Sequence, residues 1–320
     1  MTALTERMPH VAAFPRALGT GIIVRSAVQL DHDDHATITA FIDTYESVLS
    51  RFRADSLVTA IGDATHGGTF DFPDWSTPLF DLYDTLCAAT DGAIDPCVGE
   101  DLMRLGYGAD YTFTVAPDAD GRLGAVHGRP TWRGDVERYG STLVTRRAVH
   151  LDFGACGKGY LVDLLSAMMP HDELLIDAGG DLFVRSSQPV VVALEDPDDV
   201  SRAVGTAEIS AGACCASAPS RRHWQAAGRL ALHHLLNAID GRPVRDVAAT
   251  WTVVRTDDRQ TALSTADYPT AVADGLATAL FVADPNLLAA RVPDHFECAV
   301  LRADRTAAIS HHFPGHPFVQ

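Results

Sequence analysis

The chain has 320 residues and is strongly acidic, with 25 Lys and Arg residues against 42 Asp and Glu residues and a formal net charge of −17 at pH 7. A surface this acidic repels nucleic acid and anionic lipid, so we exclude both as partners. Because 47% of the residues are hydrophobic and 21% are charged, the composition is that of a folded protein and excludes collagen-like and disordered classes. Without an apolar signal segment or a run of roughly 20 apolar residues, the sequence favours a cytoplasmic protein with no membrane span.

Hydrophobic periodicity predicts helices and short strands along most of the chain. The predicted helices cover 36–52, 77–90, 159–169 and 270–281, and the stretch 62–76 is expected to be irregular. The predicted strands cover 19–25, 111–115, 141–145, 174–177, 182–184, 190–194, 251–254 and 299–302. Strands grouped in antiparallel meanders between helices indicate an α+β fold. We expect a mobile segment over 1–16, a single unit over 17–305 that has two subdomains as an alternative, and a tail over 306–320.

A run of small residues ends in a lysine between a predicted strand and a predicted helix, from Leu151 to Tyr160. Small residues let a ligand approach the backbone, the start of a helix offers free amides to an anion, and Lys158 adds a positive charge suited to phosphate. The spacing is not that of a P-loop or of a dinucleotide fingerprint. Taken alone, the run fits a tight structural turn as well as it fits a ligand site.

An acid and a hydroxyl lie one turn apart on the last predicted helix. Asp274 and Thr278 share a helix face, and their oxygens suit a hard cation. The alternative is that Asp274 caps the start of the helix, which is the commoner use of an Asp at such a position.

Three further polar turns accompany these two motifs. His234 lies on an apolar strand before the turn at Asp240-Gly241, where it could exchange a proton near neutral pH or lie at the surface. The turns Gly92–Pro96 and Asp177–Asp181 each combine small residues with acids.

The six cysteines show no paired metal-type spacing, which predicts reduced, packed thiols.

The order of these motifs resembles that of the ApbE family, the FAD:protein FMN transferases. The resemblance runs from about Leu18 to the strand after Asp274. The matching segments are Leu18-Gly19-Thr20, Ser50-Arg51-Phe52 with Asp55-Ser56, Gly92–Pro96, Leu151–Asp163, Gly179-Gly180-Asp181, His234–Gly241 and the DGLATAL run that starts at Asp274.

The resemblance implies an ApbE-like fold that binds FAD as substrate and an octahedral Mg²⁺ ion. The implied FAD contacts are Leu18, Ala93, Ile94, Asp95, Asp152, Lys158 and Leu235. The implied metal ligands are the Ala155 carbonyl, the Asp274 carboxylate and the Thr278 hydroxyl, and His234 is the implied catalytic residue. The implied reaction passes FMN from FAD to a Ser or Thr hydroxyl of an acceptor flavoprotein and releases AMP.

Substitutions within the motifs keep two other functions open. Gly62 replaces the family's Asn, Leu57 its Glu, and Asn237-Ala238 its Asp-Pro pair, while Ala216-Ser217-Ala218 stands for its Thr-Ser-Gly segment. One alternative is an FAD pyrophosphatase that yields FMN and AMP without an acceptor. The other is a flavin-binding or flavin-carrying protein without turnover. Whether the protein forms a homodimer is a separate open question.

Overall fold

An antiparallel sheet with helices packed on one face positions the candidate residues in the computed structural model, which describes residues 3–225, 231–256 and 267–318. Its α-helices are α1 (Leu4–Arg7), α2 (His32–Leu49), α3 (Leu57–Asp63), α4 (Thr77–Ala89), α5 (Gly99–Arg104), α6 (Trp132–Asp135), α7 (Gly157–Met168), α8 (Pro269–Ala279) and α9 (Pro285–Arg291). Its strands are β1 (His10–Phe14), β2 (Ile22–Ser26), β3 (Gly68–Asp71), β4 (Val136–Tyr139), β5 (Thr142–Thr145), β6 (Leu174–Asp177), β7 (Asp181–Asp196), β8 (Asp199–Ser217), β9 (His223–Trp224), β10 (Leu232–His233), β11 (Leu236–Asn237), β12 (Arg242–Pro243), β13 (Val247–Arg255), β14 (Glu297–Arg302), β15 (Ala307–Ile309) and β16 (Gly315–Pro317).

The main sheet has nine strands in the order β1-β2-β6-β7-β8-β13-β14-β15, with β16 paired to a further part of β8. All of its pairings are antiparallel. A small sheet of β3, β5 and β4 and two short hairpins, β9 with β10 and β11 with β12, complete the β structure of the described residues. The predicted α+β class is therefore confirmed.

Alternating side chains of the central strands supply two separate cores, one on each face of the sheet. On one face, Phe183 and Cys215 join the large core that the helices cover. On the other face, Cys214, Trp251 and Val253 join a second core that also contains Met8 and Phe313. The period of two along β8 and β13 thus divides neighbouring residues between the two cores.

Most predicted elements are present with shifted ends. The helices predicted over 36–52, 77–90, 159–169 and 270–281 correspond to α2, α4, α7 and α8, and the strand predicted over 174–177 is β6. The two strands predicted over 182–184 and 190–194 are one long strand, β7, whose pairing with β8 shifts register between Arg185 and Val190. The stretch 62–76, expected to be irregular, contains the end of α3 and all of β3.

The strand predicted over 111–115 is wrong, since the structure has no strand there. Tyr111 and Phe113 have φ angles of 46° and 49°, in the left-handed region that breaks an extended chain. The alternation of aromatic residues instead supports a folded loop, in which Tyr111 stacks on Phe52 and Phe113 packs against Trp224. The aromatic side chains that mimic a strand pattern therefore pack as a local cluster.

Both ends of the chain contribute strands to the main sheet. In the amino-terminal segment, β1 pairs with β2 and Met8 is fully buried. In the carboxy-terminal segment, β15 pairs with β14 and β16 pairs with β8. The proposed boundaries after residues 16 and 305, and the mobility of the first segment, stay predictions.

No helix in the described parts of the chain is long and apolar enough to cross a membrane. The six cysteines are buried and unpaired, as their spacing predicted. A cytoplasmic location stays a prediction.

The buried helix α8 depends on a carboxylate from α7 at its amino terminus. Asp163 accepts hydrogen bonds from the backbone N–H groups of Thr270 (3.1 Å) and Ala271 (2.8 Å), and its side chain is buried. These are first-turn amides that have no partner inside the helix. Asp163 therefore fixes the start of α8, the helix that carries Asp274 and Thr278.

We predict that Asp163→Ala lowers the free energy of unfolding by about 2 kcal/mol, because two buried amides lose their acceptor. Asp163→Asn should lose less, since it keeps one carbonyl oxygen. Urea denaturation at neutral pH measures both values. An alanine variant as stable as the wild type would contradict this structural role.

The same pair of variants tests a pH effect. Burial raises the pKa of Asp163 to about 7, although the two α8 amides act in the opposite direction. Between pH 3.8, the ordinary pKa of an Asp side chain, and about pH 7, Asp163 is therefore protonated in the folded state and ionised in the unfolded chain. Stability should thus fall as the pH rises through this window in the wild type, and this dependence should be weaker in Asp163→Asn.

Candidate functional site

Lys158 lies between two buried carboxylates from different elements. Its Nζ is 3.0 Å from Asp181 Oδ2 and 3.2 Å from Asp274 Oδ1. Asp181 begins β7 and Asp274 lies on α8, so the lysine connects the start of α7 to the sheet and to the neighbouring helix. Both carboxylates are at most 1% exposed. We call Lys158, Asp181 and Asp274 the charged trio.

The trio shifts the pKa values of its members. Burial lowers the pKa of Lys158, but the two carboxylates raise it by more, so the amine stays protonated. Burial raises the pKa of Asp274, and the negative charge of Asp181 raises it further. When both acids are ionised the trio carries one net negative charge, which would repel an anionic ligand.

Gly159 allows α7 and α8 to approach closely at this point. A Cβ atom there would lie 2.3 Å from the Thr270 carbonyl oxygen, and the Gly159 N–H donates to Asp274 Oδ2 at 3.0 Å. This small residue of the 151–160 run therefore serves helix packing, and it orients the Asp274 carboxylate. For Gly159 the run is therefore structural, which is one of the two interpretations given above. Lys158 and Ala155 of the same run instead line a cavity.

Three oxygen groups meet beside the trio. The Thr278 hydroxyl donates to the Ala155 carbonyl oxygen at 3.3 Å and lies 3.3 Å from the Ser217 hydroxyl. Asp274 precedes Thr278 by one turn of α8. The predicted ligand atoms are hard oxygen donors. The buried carboxylate of Asp181 contacts Lys158 and accepts a hydrogen bond from the Cys215 thiol. This donor set fits a divalent cation such as Mg²⁺.

No group of three or more His, Cys, Asp or Glu side chains in the described ranges is arranged to hold a metal ion. The predicted set contains only one residue of these types and relies on a carbonyl and a hydroxyl. The magnesium site therefore stays a prediction.

Asp152 forms an ion pair with Arg51 at the turn before α7. Its carboxylate also accepts the Gly154 N–H at 2.6 Å. Burial raises the pKa of Asp152, but Arg51 and the Gly154 amide outweigh it, so the pKa is lowered and the group is ionised at neutral pH. Arg51 also donates to the Tyr107 carbonyl oxygen at 2.7 Å and lies over the Phe52 ring.

The turn that contains Ala93, Ile94 and Asp95 is held by its own acid. Asp95 accepts the N–H groups of Cys97 (2.8 Å) and Trp132 (3.0 Å), so both of its oxygens are engaged in the fold. The Ala93 carbonyl accepts the N–H of Ala238, which ties this turn to the segment after His234. Asp95 can therefore contact a ligand while it fixes the shape of the turn.

His234 is held in the neutral form. Its Nδ1 is 3.3 Å from the Arg222 carbonyl oxygen. Burial lowers the pKa of His234 to about 3, and the positive charges of Arg222, Lys158 and His233 act in the same direction. A neutral imidazole can accept a proton from a hydroxyl group.

Leu18 has a left-handed backbone, with φ of 52°, and its N–H donates to Glu46 Oε1 at 2.6 Å. Leu235 is buried beside His234.

One cavity of about 890 Å³ joins these groups. Its lining includes every predicted site residue except Asp274: Leu18, Ala93, Ile94, Asp95, Asp152, Ala155, Lys158, His234, Leu235 and Thr278. Asp274 lies behind Lys158 and is buried. Which of these residues contact a ligand stays a prediction.

The sequence did not identify four polar residues at this site. Asp181 had a signal, because it ends a double-glycine turn, but its contact with Lys158 depends on a tertiary pairing. Arg51 lay in a matching segment without an assigned role. Ser217, which contacts Thr278, lay in the Ala216–Ala218 segment without an assigned role, and Glu46, which contacts Leu18, showed no pattern in the sequence.

Comparison with known proteins gives consistent relatives. The sequence matches the ApbE family over residues 18–300. An FAD:protein FMN transferase from Klebsiella pneumoniae (strain 342) is 24% identical over 268 residues, covering 78% of this chain and 71% of the relative. One from Salmonella typhimurium is 24% identical over 279 residues, covering 82% of this chain and 73% of the relative.

Solved structures show the same fold. The ApbE protein from Thermotoga maritima superposes with a TM-score of 0.74 at 20% identity, covering 94% of this chain and 97% of that chain. Flavin transferase ApbE from Vibrio cholerae gives a TM-score of 0.74 at 18% identity, covering 95% and 97%. The expected ApbE-like fold is therefore confirmed.

We predict that Lys158→Met destabilises the protein by roughly 3 kcal/mol, because two buried carboxylates lose their cation. Lys158→Met combined with Asp181→Asn should recover part of this loss, since the repulsion between the acids is removed. Urea denaturation of both variants and of Asp181→Asn alone forms a double-mutant cycle. If the two changes in the free energy of unfolding simply add in the double variant, Lys158 and Asp181 do not stabilise each other, and the prediction is contradicted.

Proposed function

The chain belongs to the ApbE family, and from this we propose that it is an FAD:protein FMN transferase, as its relatives are named. It would move FMN from FAD to a Ser or Thr hydroxyl of an acceptor flavoprotein and release AMP. The observation that carries the proposal is the single cavity that gathers the Ala93–Asp95 turn, the Asp152–Lys158 turn, His234 and Thr278. These segments are far apart in the sequence.

The cavity offers FAD separate polar and apolar walls. Leu18, Ala93, Ile94, Asp95, Asp152, Lys158 and Leu235 would contact the dinucleotide. Its volume of about 890 Å³ lies in the range of small-molecule and cofactor sites. Lys158 would face the phosphates while its charge is already balanced by Asp181 and Asp274.

Because the charged trio has no spare positive charge, a pyrophosphate requires an additional cation. The Ala155 carbonyl, Asp274 and Thr278 would hold Mg²⁺, and Asp181 adds a carboxylate close to the same place. When bound, the ion neutralises phosphate charge and makes the phosphorus more electrophilic.

His234 is suited to take the proton of the acceptor. The hydroxyl oxygen would bond to the phosphorus on the riboflavin side of FAD, and the bond from this phosphorus to the bridging oxygen would break. AMP leaves with the bridging oxygen, and the hydroxyl proton passes to the neutral imidazole of His234. The low pKa of His234 leaves its acceptor nitrogen unprotonated at neutral pH, but it also makes the imidazole a weak base.

The substitutions that favour a non-catalytic carrier are accommodated locally. A Cβ atom on Gly62 would lie 2.5 Å from His150 Nδ1, so His150 fills the space of a side chain at this position. The Asn237 side chain accepts the N–H of Ile239 at 3.0 Å and forms its own turn after the histidine. Neither Gly62 nor Asn237 lines the cavity, so neither substitution removes a group from its wall.

The direct test is incubation with FAD, MgCl₂ and short synthetic peptides that each carry one Ser or Thr. We expect AMP in solution and, by mass spectrometry, a peptide that has gained FMN with loss of water. Free FMN with AMP and no adduct would indicate a pyrophosphatase instead. Tight FAD retention with no AMP would indicate a carrier, and either result would overturn the proposal.

We predict that Asp274→Ala lowers AMP release by about 100-fold or more, because a charged metal ligand is lost. EDTA should stop the wild-type reaction and added Mg²⁺ should restore it, with no restoration in the variant. Asp284→Ala, which removes a capping carboxylate from α9 outside the cavity, is the matched control and should keep its activity. Full AMP release by a folded Asp274→Ala variant would rule out this ligand.

A further inference from the structure

Half of strand β7 has a partner on one side only. β6 pairs with Leu182–Arg185, near the start of β7. β8 pairs with both halves, including Val190–Asp196. Within the described ranges no strand pairs with the other side of Val190–Asp196. Among the described strands this side of Val190–Leu194 is therefore unpaired, and we call it the β7 edge.

The register shows which backbone groups the β7 edge presents. The N–H of Glu208 on β8 donates to the Pro314 carbonyl oxygen at 2.7 Å, so it points away from β7. Val191 lies opposite Glu208 and is therefore at a non-hydrogen-bonded position of the β7–β8 ladder. Ala193, two residues further, is in the same position opposite Thr206. The N–H and C=O groups of Val191 and Ala193 thus point outward from the edge.

These outward groups have no backbone partner among the described residues. Val191 is 55% exposed, and Ala193 is also exposed. A row of unpaired donors and acceptors with apolar side chains is a template for an additional strand. Proteins commonly protect such edges with charges, a proline or a covering segment, but the central positions here are Val and Ala.

The β7 edge borders the candidate site. Val192 and Ala193 line the same cavity as Lys158, His234 and Thr278. Apolar side chains on the sheet face that carries the second core also line this cavity, and Ala216 and Trp251 are among them. A polypeptide placed along the edge would therefore contact the lining of this cavity.

We propose that the β7 edge binds the acceptor protein as an added β-strand, which brings its Ser or Thr hydroxyl into the cavity. This inference rests on the proposed function, because a protein acceptor must reach His234. Main-chain hydrogen bonds to Val191 and Ala193 would supply affinity with little dependence on sequence. Alternate side chains of the acceptor would face the apolar wall, so small apolar residues and no proline are expected beside its Ser or Thr.

Proline substitution tests the edge with a matched control. Ala193→Pro removes an outward N–H without removing a β7–β8 hydrogen bond, and edge strands tolerate proline at such positions. The control position is Ala307, an exposed alanine on the edge strand β15 that lies opposite Leu301 on β14. The nearby residues Thr306 and Ser310 form the hydrogen bonds to β14, Arg302 N–H to Thr306 O and Ser310 N–H to Cys298 O, so the N–H of Ala307 points outward. Ala307 does not line the cavity.

At peptide concentrations below saturation, Ala193→Pro should label the wild-type peptide substrate with FMN about tenfold more slowly or worse, whereas Ala307→Pro should match the wild type. Thermal unfolding checks that both variants fold. Equal labelling by a folded Ala193→Pro variant would overturn the docking site. A wild-type chain that releases no AMP from FAD would instead contradict the proposed function, so the two failures are distinguishable.

Backbone N-methylation of the same peptide gives an independent readout. A strand added to the edge uses the N–H of every second residue, so methylation should slow labelling at alternate positions and leave the intervening positions unaffected. Equal effects at all positions would contradict strand addition. In hydrogen exchange, the Val191 and Ala193 amides should exchange quickly in the free protein and slowly with the peptide. Slow exchange without peptide would show that the edge is already covered.

Discussion

The ion pair of Lys158 with Asp181 and Asp274 is the interaction on which the site depends. It joins the first turn of α7, the start of β7 and the middle of α8. The helices α7 and α8 also meet through apolar packing, through the Gly159 N–H bond to Asp274 and through the amides that Asp163 accepts. Removing Lys158 leaves two buried acids without a cation, which is far more costly than the loss of a surface ion pair. The trio therefore fixes the geometry of the cavity wall and, at the same time, sets its charge.

The charge of the trio explains how an acidic protein could use a polyphosphate substrate. Lys158 is neutralised by two acids, and Arg51 is neutralised by Asp152. These two basic residues of the cavity are therefore already paired and add little attraction for phosphate. The net charge of −17 acts in the same unfavourable direction. A bound divalent cation is the simplest way to reverse the local field, and the hard oxygen atoms of Ala155, Asp274 and Thr278 are suited to it.

Local patterns in the sequence predicted the parts of the site that lie within one element. The helix that carries Asp274 and Thr278 follows from its periodicity, and the turn before α7 follows from its small residues. Asp181 was not assigned because its partner is 23 positions away, and the strand pairing that brings it to Lys158 has no local signature. The segment 111–115 failed for the opposite reason: its alternating aromatic residues satisfy a strand pattern, but tertiary stacking on Phe52 and Trp224 determines its conformation.

Strand β7 connects the two functional proposals physically. Its first residue, Asp181, belongs to the charged trio, and its distal half forms the open edge beside the same cavity. The ladder with β8 holds both halves, so the inward N–H and C=O groups are occupied along most of the strand. Among the described residues, the outward groups of Val191 and Ala193, beyond the reach of β6, remain for another chain. A rigid strand with one paired side and one open side can therefore present a polypeptide to a fixed phosphate site without rearranging the residues that hold it.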